Sequence, residues 1–120
     1  MAKGALFVGW GALIPGREKV APGVLDEALA FLQGKRQRAE IDGFDVALLE
    51  PHGGDLEGFV LVKGDKDVLA RLRVEEAFLR IIVGVQLVHQ RVGVVWAHMG
   101  AEMPPLFALW DQQEEKLLAS

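Results

Sequence analysis

The 120 residues predict an α+β fold: a four-stranded antiparallel sheet in the chain order βαββαβ, with an added helix towards the C-terminal end. Three observations lead there. Short β-rich runs separated by turn signals mark four strands. Stretches with apolar residues three and four apart mark helices between strands 1 and 2 and between strands 3 and 4. Strands 1, 3 and 4 are apolar on both faces, where a sheet with one side in water shows polar alternation.

Strand 1 is Leu6-Phe7-Val8-Gly9-Trp10. Gly11 to Pro22 reads as a loop, punctuated by Pro15-Gly16 and Pro22-Gly23. Leu25, Ala28, Leu29 and Leu32 then form the stripe of an amphipathic helix expected from Val24 to Glu40. Lys35, Arg36 and Arg38 suit the negative end of its dipole, and Gly43 is expected to stop it. Phe44 to Glu50 alternates as strand 2, and Phe59 to Lys63 forms strand 3. Gly64-Asp65-Lys66-Asp67 supplies cap chemistry for a second helix. Its apolar residues run from Val68, Leu69 and Leu72 to Ala77, Phe78, Ile81 and Ile82, with a kink expected near Val74. Val85 to Gln90 fits neither period alone. Val92 to Met99 reads as strand 4. Beyond Gly100, Pro104-Pro105 opens a last helix with Leu106, Trp110 and Leu117 on one side. The chain therefore divides into an α+β domain over 1–100 and a helical extension over 101–120.

Composition excludes several functions. Hydrophobic residues make up 51% and charged residues 25%, which suits one packed domain and argues against disorder. The formal net charge of −4 argues against nucleic acid and anionic membranes as partners. No apolar run approaches the ~20 residues of a membrane span. Met1 to Gly16 lacks a small-x-small cleavage site, so no signal peptide is expected. With no cysteine, disulfides, thiolate catalysis and Cys-type zinc sites are excluded, and the expected compartment is the cytoplasm. Ser120 is the one serine, and threonine and tyrosine are absent, so a serine triad has no nucleophile.

The two crossovers place both helices on one face of the sheet, the ferredoxin-like arrangement. The second face, carrying Phe7, Phe59 and Leu61, needs its own cover. Either the C-terminal helix or a second copy of the chain supplies it.

The segment Gly53-Gly-Asp-Leu-Glu-Gly-Phe-Val-Leu-Val-Lys-Gly-Asp65, with the late Glu75-Glu-Ala-Phe78, resembles the dimeric α/β-barrel superfamily. It is similar there to small bacterial YCII-related proteins and to an uncharacterised bacterial family. The resemblance covers roughly Leu6 to Gly100. It implies a homodimer in which two ferredoxin-like chains pack sheet to sheet through Phe7, Phe59 and Leu61. YCII-like proteins are thought to use a histidine on the first helix. Val24 to Glu40 contains none, so that role has no counterpart here.

Candidate site residues fall in two places. In Glu50-Pro51-His52-Gly53-Gly54-Asp55, the residues Glu50, His52 and Asp55 have the chemistry of a metal or acid–base cluster. The same residue types are what a hairpin turn requires, and no metal is expected. Trp10 and Trp96 would bring two indoles to one end of the sheet, with His98 on the face of Trp96, the wall of an aromatic-ligand pocket or plain core packing. The candidates for ligand binding are thus Trp10, His52, Asp55, Trp96 and His98. His89 receives no role. Gly11 to Glu18 has P-loop spacing, but Arg17 and Glu18 stand where a lysine and a hydroxyl are needed. Phe7 and Phe59 also mimic the stacking aromatics of an RNA-recognition motif, yet Glu57 replaces its basic residue.

Three functions compete. The first is a homodimeric protein binding a small, partly apolar ligand, or serving as an assembly module, with no cofactor. The second is a cofactor-independent enzyme of monooxygenase-like or isomerase-like type, with His98 or His52 as base. The third is haem binding through His89 or His98, which needs an axial imidazole facing an apolar cavity.

Overall fold

The computed structural model describes residues 2–119. Four strands, β1 (Lys3–Trp10), β2 (Gly43–Leu48), β3 (Gly58–Asp65) and β4 (Gly93–Ala97), form one sheet in the order β2-β3-β1-β4. All neighbours are antiparallel. Four helices accompany them: α1 (Ala21–Gln37), α2 (Lys66–Arg73), α3 (Glu76–Val88) and α4 (Met103–Leu118). This is the ferredoxin-like α+β fold that the order of elements predicts.

Period-two alternation sets the two sheet faces. Leu6, Val8 and Trp10 of β1 share a face with Val60 and Val62 of β3, and this face meets Leu32 of α1, Leu69 and Leu72 of α2, and Phe78, Ile81 and Val85 of α3. Leu6, Val62 and Leu69 are wholly buried. On the opposite face, Phe7 lies opposite Leu61 and Val95, and Gly9 lies opposite Phe59. The Phe7 and Phe59 rings stack at 5.3 Å. Phe7 lies over Gly9, where a Cβ would stand 2.6 Å from its ring. Asp45 and Lys63 form an ion pair at 2.7 Å; they flank this apolar patch on the β2 side.

The structure corrects several element bounds. α1 begins at Ala21, three residues early, because proline fits the first turn of a helix and Pro22 sits there. Its stop is not Gly43. Ala39 takes φ 58°, and the amides of Ala39 and Glu40 return to the carbonyls of Arg36 and Lys35, closing the helix within its last turn. The expected second helix is two. Val74 ends α2, and Glu75, in extended conformation, carries its carboxylate to Lys35 at 2.8 Å. Lys35 is the one buried charged residue among those described, and this ion pair ties α1 to the α2–α3 break. The ambiguous run from Val85 continues α3 to Val88. β4 is shorter than expected, Gly93–Ala97, so His98 and Met99 lie beyond it.

α4 does not cover the open sheet face of its own chain. It makes its main contact with the short turn Gly100–Glu102 at its root. The Cα radius of gyration is 16.9 Å, against about 13.6 Å for a compact chain of this length. At the root, Glu102 pairs with Lys66 at the start of α2, and His98 Nδ1 lies 3.9 Å from the same carboxylate. The Lys66 ammonium holds the Glu102 carboxyl below its ordinary value of 4.5. A carboxyl depressed in the folded state stabilises above its unfolded pKa and loses that contribution as pH falls through the folded value. Amide protection factors at Met103 and Leu106, corrected for the intrinsic pH dependence of exchange, are therefore expected to hold down to about pH 4.5 and to fall below it. In Glu102→Gln that pH step disappears.

Candidate active site: an apolar cavity between sheet and helices

A cavity of about 280 Å³ opens between the inner sheet face and helices α1 and α3. Val8, Trp10, Val60 and Val62 form its floor, with Leu25, Ala28 and Phe31 on one wall and Phe78, Ile81 and Val85 on the other. Small-molecule sites run from ~300 to ~1,000 Å³, so this one suits a small ligand. Its lining is almost wholly apolar. His89 and Glu18 are its polar members, and Trp10, Leu13 and Leu48 line it with them.

His89 is held from two directions. Its Nδ1 donates to the carbonyl of Gly11 at 2.9 Å, across 78 residues of chain. Its ring lies 5.9 Å from that of Trp10. The backbone reinforces the join: Gly11 N–H donates to Gln90 O, Gln90 N–H to Ala12 O, and Ile14 N–H to Val88 O. Because a carbonyl only accepts, Nδ1 carries the proton and Nε2 is the nitrogen left for a ligand or a proton. Glu18 is held by the turn it follows. The amides of Glu18 and Gly16 keep its carboxyl below the ordinary value, with Gly16 N–H donating at 3.2 Å. The site can therefore offer one imidazole acceptor and one carboxylate to an otherwise hydrophobic ligand.

The structure separates the residues that the sequence groups together. Trp10 lines the cavity. Trp96 pairs with Leu6, four residues back along β1, so the two indoles lie at opposite ends of the sheet, roughly 13 Å apart along the strand. They face the same side but do not form one pocket wall. Trp96 instead receives the Arg73 guanidinium, 5.8 Å from its ring, which also donates to the carbonyl of Val94. His98 is exposed beside Glu102 at the root of α4. His52 is engaged within its own loop: Gly54 N–H donates to Nδ1 at 3.3 Å, so Nε2 carries the proton to Leu56 O at 2.7 Å. Asp55 pairs with Arg91 at 3.3 Å on the surface. Among the described residues, no three of His, Asp and Glu converge to hold a metal ion. His89, which the sequence leaves without a role, is the histidine at the cavity. No linear signal marks it, since its partner Gly11 is distant in the chain.

No protein-family profile matches this chain, and no curated protein does. Solved structures do. A dimeric ferredoxin-like protein of unknown function from a Jannaschia species is 15% identical, with a TM-score of 0.63, covering 82% of this chain and 100% of its own. A dimeric protein of unknown function and ferredoxin-like fold from Bacteroides fragilis is 13% identical, with a TM-score of 0.58 over 79% and 94%. A cofactor-independent oxygenase from Streptomyces nogalater is 19% identical, with a TM-score of 0.52 over 83% and 98%. These likenesses show that the chain has the ferredoxin-like fold. Two of these neighbours are described as dimeric. Among the described residues, no helix is long and apolar enough to cross a membrane.

Proposed function

We propose that this protein is a homodimer that holds a small, largely apolar molecule in the sheet–helix cavity. The observation that carries this reading is the cavity itself: hydrophobic walls on three elements, with the His89 imidazole fixed at one end by Gly11. An apolar pocket with a few fixed polar groups is the common form of a small-molecule site. The two copies meet through the face of Phe7, Phe59 and Leu61, which its own α4 leaves bare. The absence of cysteine fits a reducing cytoplasm.

The test is titration with an environment-sensitive naphthalene dye. One dye per chain is expected, with an emission shift to the blue. Ala28 stands on the α1 wall, and Ala28→Phe fills the space with a ring. It should weaken the dye at least tenfold, about 1.4 kcal/mol, while the circular dichroism spectrum is unchanged. Equal affinity in the variant removes the cavity from the site.

A second reading, a cofactor-independent monooxygenase-like or isomerase-like enzyme, draws on His89 Nε2 beside the Trp10 ring. A base so placed takes a proton from a weakly acidic carbon or hydroxyl of a bound ligand. His89 replaces His98 and His52 in that role, since those two lie elsewhere. A bound naphthol showing naphtholate fluorescence, lost in His89→Phe, supports this reading. Neutral naphthol emission in both proteins sinks it.

A further inference from the structure

We infer that α4 is an arm that lies against the second copy of the chain and completes the dimer that the sheet face begins. The inference rests on the dimer reading above. α4 presents Met103, Leu106, Trp110, Gln113 and Leu117 at alternating spacings of three and four, the seam by which helices pack on one another. None of these residues is buried in its own chain, and Trp110 is 70% exposed. A stripe of this size left in water is an association surface.

The area a stable dimer needs favours a second copy over an unrelated partner. Four strands about 4.8 Å apart and some 22 Å long give the open sheet face a plan area of roughly 400 Å². A standard interface takes about 800 Å² from each partner. The sheet face alone is therefore about half of what is needed. A 16-residue helix is about 24 Å long and 10 Å wide, adding roughly 240 Å² where it lies and as much where it is received. Under two-fold symmetry each copy gives one arm and receives one, which brings its share to roughly 900 Å². Both deficits, the bare sheet and the bare arm, are then closed by one operation.

The root is built for a fixed direction. Glu102 is gripped by Lys66 where α2 leaves β3, so the arm starts from a pinned turn. The matched part of the Jannaschia neighbour spans 82% of this chain and all of that one, and the unmatched 18% has the size of the 101–120 extension. The arm thus adds to a fold whose neighbours are described as dimeric.

Sedimentation of the full chain, of Leu106→Ala with Trp110→Ala, and of Leu61→Asp as comparator tests this. The arm variant is expected to raise the dimer Kd at least tenfold and, at protein concentrations where it is still paired, to leave dye binding in the cavity unchanged. Hydrogen exchange over Leu106–Leu117 provides a second readout, slow in the dimer and fast in the Leu61→Asp chain. A parent dimer whose Kd does not change in the arm variant, with α4 exchanging fast throughout, overturns the arm and leaves the dimer standing. A parent that sediments as a monomer at every concentration overturns both.

Discussion

Leu61→Asp is expected to separate the two copies. Leu61 sits at the centre of the open face, opposite Phe7 on β1 and Asp45 on β2. Burying a leucine side chain is worth about 2 kcal/mol, and two-fold symmetry removes two of them with each substitution. The introduced carboxylates also enter a desolvated contact without a partner and beside Asp45, which costs several kcal/mol more. At about 1.4 kcal/mol per decade, the dimer Kd should rise a thousandfold or more. The fold of each chain should survive, because Leu61 points away from the core of Leu6, Val62 and Leu69. Sedimentation near 13 kDa with an unaltered circular dichroism spectrum is the expected result. A variant that still sediments as a dimer places the contact elsewhere.

Gly58→Val is expected to give the largest loss of stability and to disturb the cavity with it. Gly58 pairs with Trp10 on one side and Leu48 on the other. A Cβ there would lie 2.7 Å from the Trp10 ring and 2.8 Å from the carbonyl oxygen of Ala47. The ring can turn, but the carbonyl belongs to the sheet and cannot. Overpacking of this kind costs about 3 kcal/mol, or roughly 10 °C in Tm for a domain of this size. Because Trp10 floors the cavity, dye affinity should fall in the same variant. Thermal melting and dye titration together check it: an unchanged Tm contradicts the close approach at Gly58.

Much of the architecture was legible because it follows from local periodicity. Phe7 against Leu6 and Val8 reads as a two-faced strand from spacing alone, and the pairing of β1 with β3 and β4 follows from the crossovers. The helix breaks were harder. Gly43 looks like a stop and Ala39 does not, yet Ala39 adopts the left-handed turn because the chain must reverse into β2. Val74 and Glu75 divide a continuous helical pattern because Glu75 reaches the otherwise buried charge of Lys35, forty residues earlier. The tail of α3, rich in β-branched residues, is helical against that local preference, with Ile81 and Val85 packed into the core.

The site was legible in part. Trp10 is found by being a large aromatic on an inward strand position. His89 is invisible because its orientation depends on the carbonyl of Gly11, which the fold brings to it. His52 attracts attention for the opposite reason. Its glycine-rich setting looks like a ligand loop, and both ring nitrogens turn out to tie the loop to itself.

β1 is a wall common to two compartments. Val8 and Trp10 look into the cavity, while Phe7 between them looks out on the open sheet face where the proposed partner would sit. A guest that shifts Val8 or Trp10 would move the same backbone that carries Phe7. If occupancy and pairing are linked in this way, the bond is mutual: whatever factor a partner lends to the guest's affinity, the guest returns to the partner's.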